Sequence, residues 1–142
     1  MHANLPVAVH VFLRRGSQAL LVQRAHTGFR DGEWSVPAGR LDIGESVRQT
    51  AARETAEEVG VLINIEDLGE PLVMNHRDER GERLYFFFTC STWRGEPRNM
   101  EPKKCNAINW FDVKNLPPNT VDHVKDALTK IKNGAGYMEY GF

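Results

Sequence analysis

The chain has 142 residues, of which 41% are hydrophobic and 26% are charged. These proportions are typical of one globular domain with a core large enough to fold alone, so we expect a single domain over residues 1–142. The formal net charge is -1, from 18 basic and 19 acidic residues, and no long run of Lys or Arg is present. We therefore expect no polymeric nucleic acid as a partner. A small anionic ligand stays open, because a bound metal would supply positive charge.

Residues 1–11 contain no basic leader followed by a long apolar run, and no segment reaches the ~20 apolar residues of a membrane span. We therefore expect a cytoplasmic protein with no membrane partner. Cys90 and Cys105 lie too far apart in sequence for a local metal pair. We expect reduced thiols, with a disulfide or a reactive thiol as the alternative. The sequence leaves a homodimer open.

The first part of the chain predicts a β-hairpin followed by a loop. Apolar runs at 7–13 and 19–23 flank a Gly-containing turn, and residues 24–34 contain two more glycines. His10 lies inside the first run with no second His, Cys or Asp at a ligand spacing, which favours a core position over a metal ligand.

Downstream of a helix that ends at Gly60, the pattern is mainly strand-like. The run 84–93 is almost continuously aromatic or β-branched, which predicts a central strand buried on both faces. The other elements predicted here are strands at 61–65, 68–76 and 107–111, a charged hairpin tip at 78–82, and a polar loop at 94–105. Several strands and two helices give an α/β or α+β sheet packed between helices.

Residues 119–134 predict an amphipathic helix. Apolar residues recur at helical spacing, Asn119 or Thr120 is available as an N-cap, and Gly134 ends the pattern. The tail at 135–142 either docks or frays, and the pattern does not distinguish these outcomes.

The stretch 39–61 carries the chemistry. Its glycine-rich loop runs into the first helix, where Glu54, Glu57 and Glu58 share one face and converge on a small volume. Like charges at this spacing destabilise a helix, so the stretch is either a solvated acidic face or a site for a hard divalent cation. Ala52, Ala56 and Val59 are predicted on the opposite, inner face, with Thr55 at its border and the glutamates presented outward.

Two further features support a cation site. Arg53 and Glu45 are expected to form an ion pair that ties the loop to the helix, with direct ligand or metal contact as the alternative. Gly39 and Gly44 allow a main-chain carbonyl to turn inward as a ligand. Oxygen donors without Cys or His favour Mg²⁺ or Mn²⁺ over zinc.

The same stretch resembles the Nudix box of the Nudix hydrolase family, G-x5-E-x7-R-E-U-x-E-E-x-G-U, in which U is aliphatic. Gly39, Glu45, Arg53 and the three glutamates occupy the matching positions, and Thr55 replaces an aliphatic residue. Residues 34–39 also look like the family's lead-in. The resemblance implies an α/β fold, an α/β/α sandwich around a mixed β-sheet. It further implies hydrolysis of a nucleoside diphosphate linked to another moiety.

By that resemblance, Glu57 and Glu58 are the principal metal ligands, and the Gly39 carbonyl is another. Glu54 is either a further ligand or the base that activates water, and Arg53 belongs to the catalytic set. Some family members take a base or ligand from a loop outside the box. Glu101 is the candidate here, ahead of Glu79 and Glu82.

The substrate is less well defined. The candidate substrate-binding residues are Phe29, Arg30, His76, Arg77, Tyr85 and Phe87. For each of them the alternative is a role in core packing or in a solvated loop. The chain length is similar to that of MutT-type enzymes, which favours a nucleoside or deoxynucleoside triphosphate cut to monophosphate and pyrophosphate. ADP-ribose, a dinucleoside polyphosphate or a nucleotide sugar are the alternatives. A non-catalytic nucleotide-binding module and an isomerase of the same fold are hypotheses of other classes.

Overall fold

The computed structural model describes residues 1–142, and its strands form one mixed sheet with a helix on each face. The elements are β1 (Val7–Arg15), β2 (Gln18–Arg24), β3 (Trp34–Ser35), β4 (Ala38–Arg40), α1 (Val47–Val59), β5 (Leu72–Asp78), β6 (Gly81–Cys90), β7 (Cys105–Asp112), α2 (Asp122–Lys132) and β8 (Tyr137–Tyr140). A 3₁₀ turn, Ile65–Asp67, follows α1. Neither helix is long and apolar enough to cross a membrane.

The sheet has the strand order β3-β2-β1-β6-β5-β8, while β4 pairs with β1 and β7 pairs with β2. The predicted hairpin is confirmed, but β1 and β2 pair only next to their turn, at Arg14 with Ala19 and Arg15 with Gln18. Beyond the turn, β1 runs parallel to β6 and antiparallel to β4, whereas β2 pairs with β3 and β7. The strands thus part, and β4 lies beside β1 where they do so.

The core has two halves, one on each side of the sheet. Ala51 and Val59 of α1 belong to one cluster, and Val124 and Leu128 of α2 belong to the other. Strand β6 supplies both, since Phe87 packs towards α2 and Phe88 towards α1. Each fully buried Phe contributes roughly 1.5–3 kcal/mol relative to exposure. The α/β/α sandwich and a central strand buried on both faces are therefore confirmed.

The strand predicted at 61–65 is wrong. Only Leu62 makes a bridge, to Arg94, and the chain then enters the 3₁₀ turn after Asn64. The next strand begins at Leu72 rather than Leu68, because Pro71 has no N–H to donate to a ladder.

The predicted N-cap of α2 is also wrong. The helix begins after Val121, which makes no side-chain cap. Thr120 Oγ1 instead donates to the Pro117 carbonyl at 2.7 Å, and Asn119 Nδ2 donates to the Gly32 carbonyl at 2.9 Å. Both polar side chains therefore serve neighbouring loops. The tail docks, since β8 pairs in parallel with β5.

Three histidines are buried together between the sheet and α2. His10 is stacked on Phe87 with ring centroids 4.4 Å apart, and His76 and His123 lie against Tyr85. Burial, followed by the charge of His76, lowers the pKa of His10 to about 3. Burial likewise lowers the pKa of His123 to about 2. These rings are neutral at physiological pH, and His10 occupies the core position expected of it.

Acid is expected to destabilise the protein through His10. Its folded pKa lies below the unfolded value of 6.5, so the unfolded chain binds the extra proton and stability falls as the pH drops below 6.5. Between pH 7 and pH 5, wild type should lose about 2 kcal/mol more stability than a His10→Phe variant, measured by denaturant unfolding. The comparison with the variant is needed because burial raises the pKa of Glu58, which acts in the opposite sense. Equal losses in both proteins would contradict this account.

Candidate active site

Helix α1 has well-defined ends. Ser46 accepts a hydrogen bond from the Gln49 N–H, and the Gln49 side chain accepts one from the Ser46 N–H, which forms a capping box. The helix ends at Gly60, as predicted, in a left-handed conformation with φ of 73° that favours glycine. The register of the three glutamates relative to the sheet is therefore fixed.

The inner face of α1 differs from the prediction. Ala52 and Ala56 are only partly buried, whereas Ala51 and Thr55 are fully buried with Val59. Thr55 tolerates burial because its hydroxyl donates to the Ala51 carbonyl at 2.9 Å. The helix is thus rotated from the expected orientation, and this rotation brings two of the glutamates towards the sheet instead of outward.

Glu54 lies directly against Gly39 of β4. Its side chain is only 13% exposed, and a Cβ on Gly39 would overlap its carboxylate. Burial raises the pKa of Glu54, although a hydrogen bond from Arg53 opposes this. A side chain at position 39 would therefore displace the Glu54 carboxylate, so glycine is required here whether or not its carbonyl binds a metal.

Glu58 lies against Ala38, the residue that precedes Gly39 in β4. The Ala38 N–H donates to Glu58 Oε2 at 2.9 Å. Burial raises the pKa of Glu58 well above its ordinary range, and the charges of Glu54 and Glu101 add to the effect. A carboxylate disfavoured as a buried anion is one that a bound cation stabilises.

Arg53 connects the loop to the helix, and its predicted pair with Glu45 is confirmed. Arg53 Nε donates to Glu45 Oε2 at 2.8 Å and Nη2 donates to Oε1 at 3.0 Å. Further bonds run to Glu54 at 2.7 Å and to the Arg40 carbonyl at 3.0 Å. The hydrogen bond from Arg53 lowers the pKa of Glu45 to about 2. The pair therefore braces the loop beside Gly39.

The expected convergence of all three carboxylates is not seen. Arg53 Nη1 contacts both Glu54 and Glu57, the latter at 3.4 Å, and Glu57 is 53% exposed. No group of three or more His, Cys, Asp or Glu side chains lies close enough to hold a metal ion as the side chains stand. Rotation of the exposed Glu57 would be needed to complete a ligand set.

A cleft of about 430 Å³ opens beside Glu58. Glu101, in the loop before β7, lines the cleft together with Glu58, Ala38 and Arg24. Its charge raises the pKa of both Glu54 and Glu58. The loop carboxylate of Glu101 therefore lines the same space as Glu58. We call this space the acidic cleft.

A second cleft, of about 270 Å³, also opens beside β4. Ala38 and Arg24 line both clefts, and Gly39 lines the second. The other charged or aromatic residues of the second cleft are His10, Phe29, Arg40, Arg80, Arg83, Tyr85 and His123. We call this space the arginine cleft.

The structure places two of the candidate substrate residues in a cleft and the others outside both clefts. Phe29 and Tyr85 line the arginine cleft. Arg30 pairs with Glu33 at 3.4 Å, and Arg77 lies over the Phe142 ring. The remaining candidates are buried or packed in the sheet, with His76 stacked on Tyr140 and Phe87 in the core below α2. Neither cleft is lined by Arg30, His76, Arg77 or Phe87.

Sequence reasoning missed most of the arginine cleft. Its basic residues come from β2, from β4 and from the β5–β6 hairpin, so no local spacing joins Arg24, Arg40, Arg80 and Arg83. The signal at Arg40 was its position directly after Gly39. Glu79 and Glu82 lie at the exposed hairpin tip, where Glu82 is 3.9 Å from Arg77.

The potential metal ligands of α1 and the adjoining loop suit a hard cation. Glu54, Glu57, Glu58 and backbone carbonyls offer oxygen only, and a buried carboxylate of raised pKa favours positive charge beside it. The oxygen donors beside Gly39 therefore fit a divalent cation. The sequence model of the NUDIX domain matches residues 4–130, and the chain belongs to this family.

Several named relatives align with most of this chain. An ADP-ribose pyrophosphatase of Methanocaldococcus jannaschii is 30% identical over 137 residues, covering 94% of this chain and 79% of the relative. An 8-oxo-dGTP diphosphatase of Escherichia coli is 27% identical over 117 residues, covering 81% and 89%. A human 8-oxo-dGDP phosphatase, NUDT18, is 36% identical over 136 residues, covering 94% of this chain. This chain spans only 39% of the human protein.

Solved structures have the same fold. A MutT NUDIX hydrolase from Burkholderia pseudomallei superposes with a TM-score of 0.79 at 25% identity, covering 91% of this chain and 99% of that one. A bifunctional NMN adenylyltransferase/ADP ribose pyrophosphatase from Francisella tularensis has a TM-score of 0.72 at 21% identity, covering 92% and 42%. The latter structure contains AMP and a Mn ion.

Proposed function

We propose that this chain hydrolyses a nucleoside diphosphate linked to another moiety. The observation that carries the proposal is the placement of Glu54 and Glu58 against Gly39 and Ala38, beside two clefts that are both lined by Ala38. A linear substrate laid across β4 would present its diphosphate to the carboxylates and extend one arm into each cleft.

The proposed cofactor is Mg²⁺ or Mn²⁺, held by Glu54, Glu57 and Glu58 with the Gly39 carbonyl. When bound, such an ion neutralises phosphate charge and makes water a better nucleophile. The chain itself contributes position and shielding. Arg53 fixes Glu54 through a 2.7 Å bond, and Ala38 fixes Glu58, so the charged oxygens are in place before the substrate arrives.

The proposed base is Glu101, with Glu54 as the alternative. Glu54 is engaged by Arg53, whereas the Glu101 carboxylate has no hydrogen bond or ion pair within the protein. A free carboxylate facing the acidic cleft is available to accept a proton from the attacking water.

The preferred substrate is proposed to be a nucleoside or deoxynucleoside triphosphate, cut to monophosphate and pyrophosphate. The supporting observation is the match of this chain to 89% of the length of the Escherichia coli 8-oxo-dGTP diphosphatase. ADP-ribose is the second candidate, because the archaeal relative that shares 30% of its residues is named an ADP-ribose pyrophosphatase.

Product analysis distinguishes these substrates. The purified protein would be incubated with Mg²⁺ and a panel of triphosphates, oxidised triphosphates, ADP-ribose, dinucleoside polyphosphates and nucleotide sugars, and the products separated by anion exchange. We expect nucleoside monophosphate and pyrophosphate from at least one triphosphate, at a kcat/KM above that for every other class. AMP and ribose phosphate as the dominant products would instead establish ADP-ribose as the substrate.

A further inference from the structure

The arginine cleft concentrates positive charge in a protein whose net charge is -1. Four arginines line it, namely Arg24, Arg40, Arg80 and Arg83, and no Asp or Glu is among its lining residues. Glu54 lies against Gly39, which lines the cleft, and Glu58 lines the acidic cleft instead.

Few of these charges are compensated. Arg80 and Arg83 share a single carboxylate, that of Asp78, at 3.2 and 3.1 Å. Arg24 donates from Nε to the Phe29 carbonyl at 2.8 Å, which is a neutral partner. Arg40 is exposed, and its side chain makes no hydrogen bond or ion pair within the protein. Arg80 and Arg83 thus share one carboxylate, and neither Arg24 nor Arg40 forms an ion pair.

The walls hold the arginines in place rather than neutralise them. The Arg80 guanidinium lies over the Phe29 ring, 3.4 Å from its centroid, which fixes both the arginine and the loop. Tyr85 and the neutral rings of His10 and His123 contribute an uncharged surface. The cleft therefore offers preorganised donors and has no carboxylate among its lining residues.

Such a group of like charges is stabilised by an anion. Guanidinium groups present paired N–H donors that match phosphate oxygens, and partial burial strengthens the attraction. The scissile diphosphate itself belongs beside the carboxylates of α1. The anion that the arginine cleft attracts is therefore a different group on the same substrate.

Building on the proposed function, we propose that the arginine cleft binds a phosphate group that is not part of the scissile diphosphate. Two sources share this chemistry: the terminal phosphate of a nucleoside triphosphate, and a phosphate ester on a ribose. In both cases the cleft selects substrates that carry a phosphate group in addition to the scissile diphosphate.

Direct binding without divalent metal tests this. Dissociation constants would be measured by calorimetry in EDTA for two pairs of probes: ATP against ADP, and NADP⁺ against NAD⁺. The members of each pair differ by one phosphate, terminal in the first pair and on the ribose in the second. We expect the more phosphorylated member of one pair to bind about 10-fold more tightly, as expected for charge-assisted hydrogen bonds.

The variant Arg40→Gln should remove that preference, because Arg40 is the cleft arginine whose side chain has no hydrogen bond or ion pair within the protein. Arg40 is also exposed, so the substitution leaves the fold intact. Arg94→Gln is the matched control, since Arg94 is an exposed arginine with no side-chain partner and lines neither cleft. It removes the same charge and should retain the preference. The preferred pair identifies the source of the phosphate.

No preference in either pair would overturn the proposal, as would a preference that survives Arg40→Gln or is lost equally in Arg94→Gln. Failure of the proposed function is a separate result, because absence of hydrolysis with Mg²⁺ does not alter binding in EDTA.

Discussion

Glu57→Gln is expected to lower kcat by about two orders of magnitude or more while leaving the fold intact. Glu57 is the most exposed of the three helix glutamates, and its only side-chain hydrogen-bond or ion-pair partner is Arg53, at 3.4 Å. Such an exposed pair contributes only ~0.3–0.5 kcal/mol, so the melting temperature should barely change. The loss is expected because an amide oxygen replaces a charged metal ligand.

Glu66→Gln provides the control for charge. Glu66 is exposed in the 3₁₀ turn after α1 and has no side-chain partner, so this variant should keep the wild-type rate. Steady-state kinetics at saturating Mg²⁺ and circular dichroism would be measured on both variants. A folded Glu57→Gln protein with a near-normal rate would remove Glu57 from the ligand set.

Gly39→Ala is expected to reduce kcat/KM by roughly 100-fold, because displacement of a catalytic group by about 1 Å has an effect of this size. The added Cβ would overlap the Glu54 carboxylate, which is wedged between Gly39 and Arg53. Glu54 would have to move, and overpacking at such a position also costs about 1–3 kcal/mol of stability.

Gly69→Ala is the matched glycine substitution. A Cβ at Gly69 meets no atom within 4 Å, and the backbone there does not need positive φ. Its kinetics and its urea midpoint should match wild type or improve slightly, since alanine restricts the unfolded chain. If Gly39→Ala behaved like Gly69→Ala, the close approach of Glu54 to β4 would have no role in activity.

The sequence predicted which residues surround Gly39 and Arg53 because these residues are local. Gly39, Glu45, Arg53 and the glutamates lie within one loop and one helix, so spacing along the chain determines which side chains meet. The same locality predicted the end of α1 at Gly60 and the Arg53–Glu45 pair.

Orientation was harder to predict than position. A helical wheel places Ala52 and Thr55 about 60° apart, and only packing decides which is buried. The wheel put Thr55 at the border of the buried face. Its hydroxyl bonds to the helix's own backbone, which permits full burial, and the helix turns Glu54 and Glu58 inward. The raised pKa values of both carboxylates follow from this rotation.

The arginine cleft could not be predicted at all from spacing. Arg24 and Arg83 are nearly sixty positions apart in the chain, and they line one cleft because β1 pairs with both β2 and β6. The proposed phosphate site therefore depends on the tertiary fold, whereas the proposed cation ligands lie mainly in a single stretch.

The most direct test is hydrolysis of the nucleotide panel at increasing Mg²⁺ concentration, followed by addition of EDTA. The account predicts turnover of at least one pyrophosphate-containing nucleotide that rises with Mg²⁺, stops with EDTA and returns when Mg²⁺ is restored. No turnover of any nucleotide, combined with nucleotide-dependent thermal stabilisation, would contradict it and indicate a non-catalytic binding module.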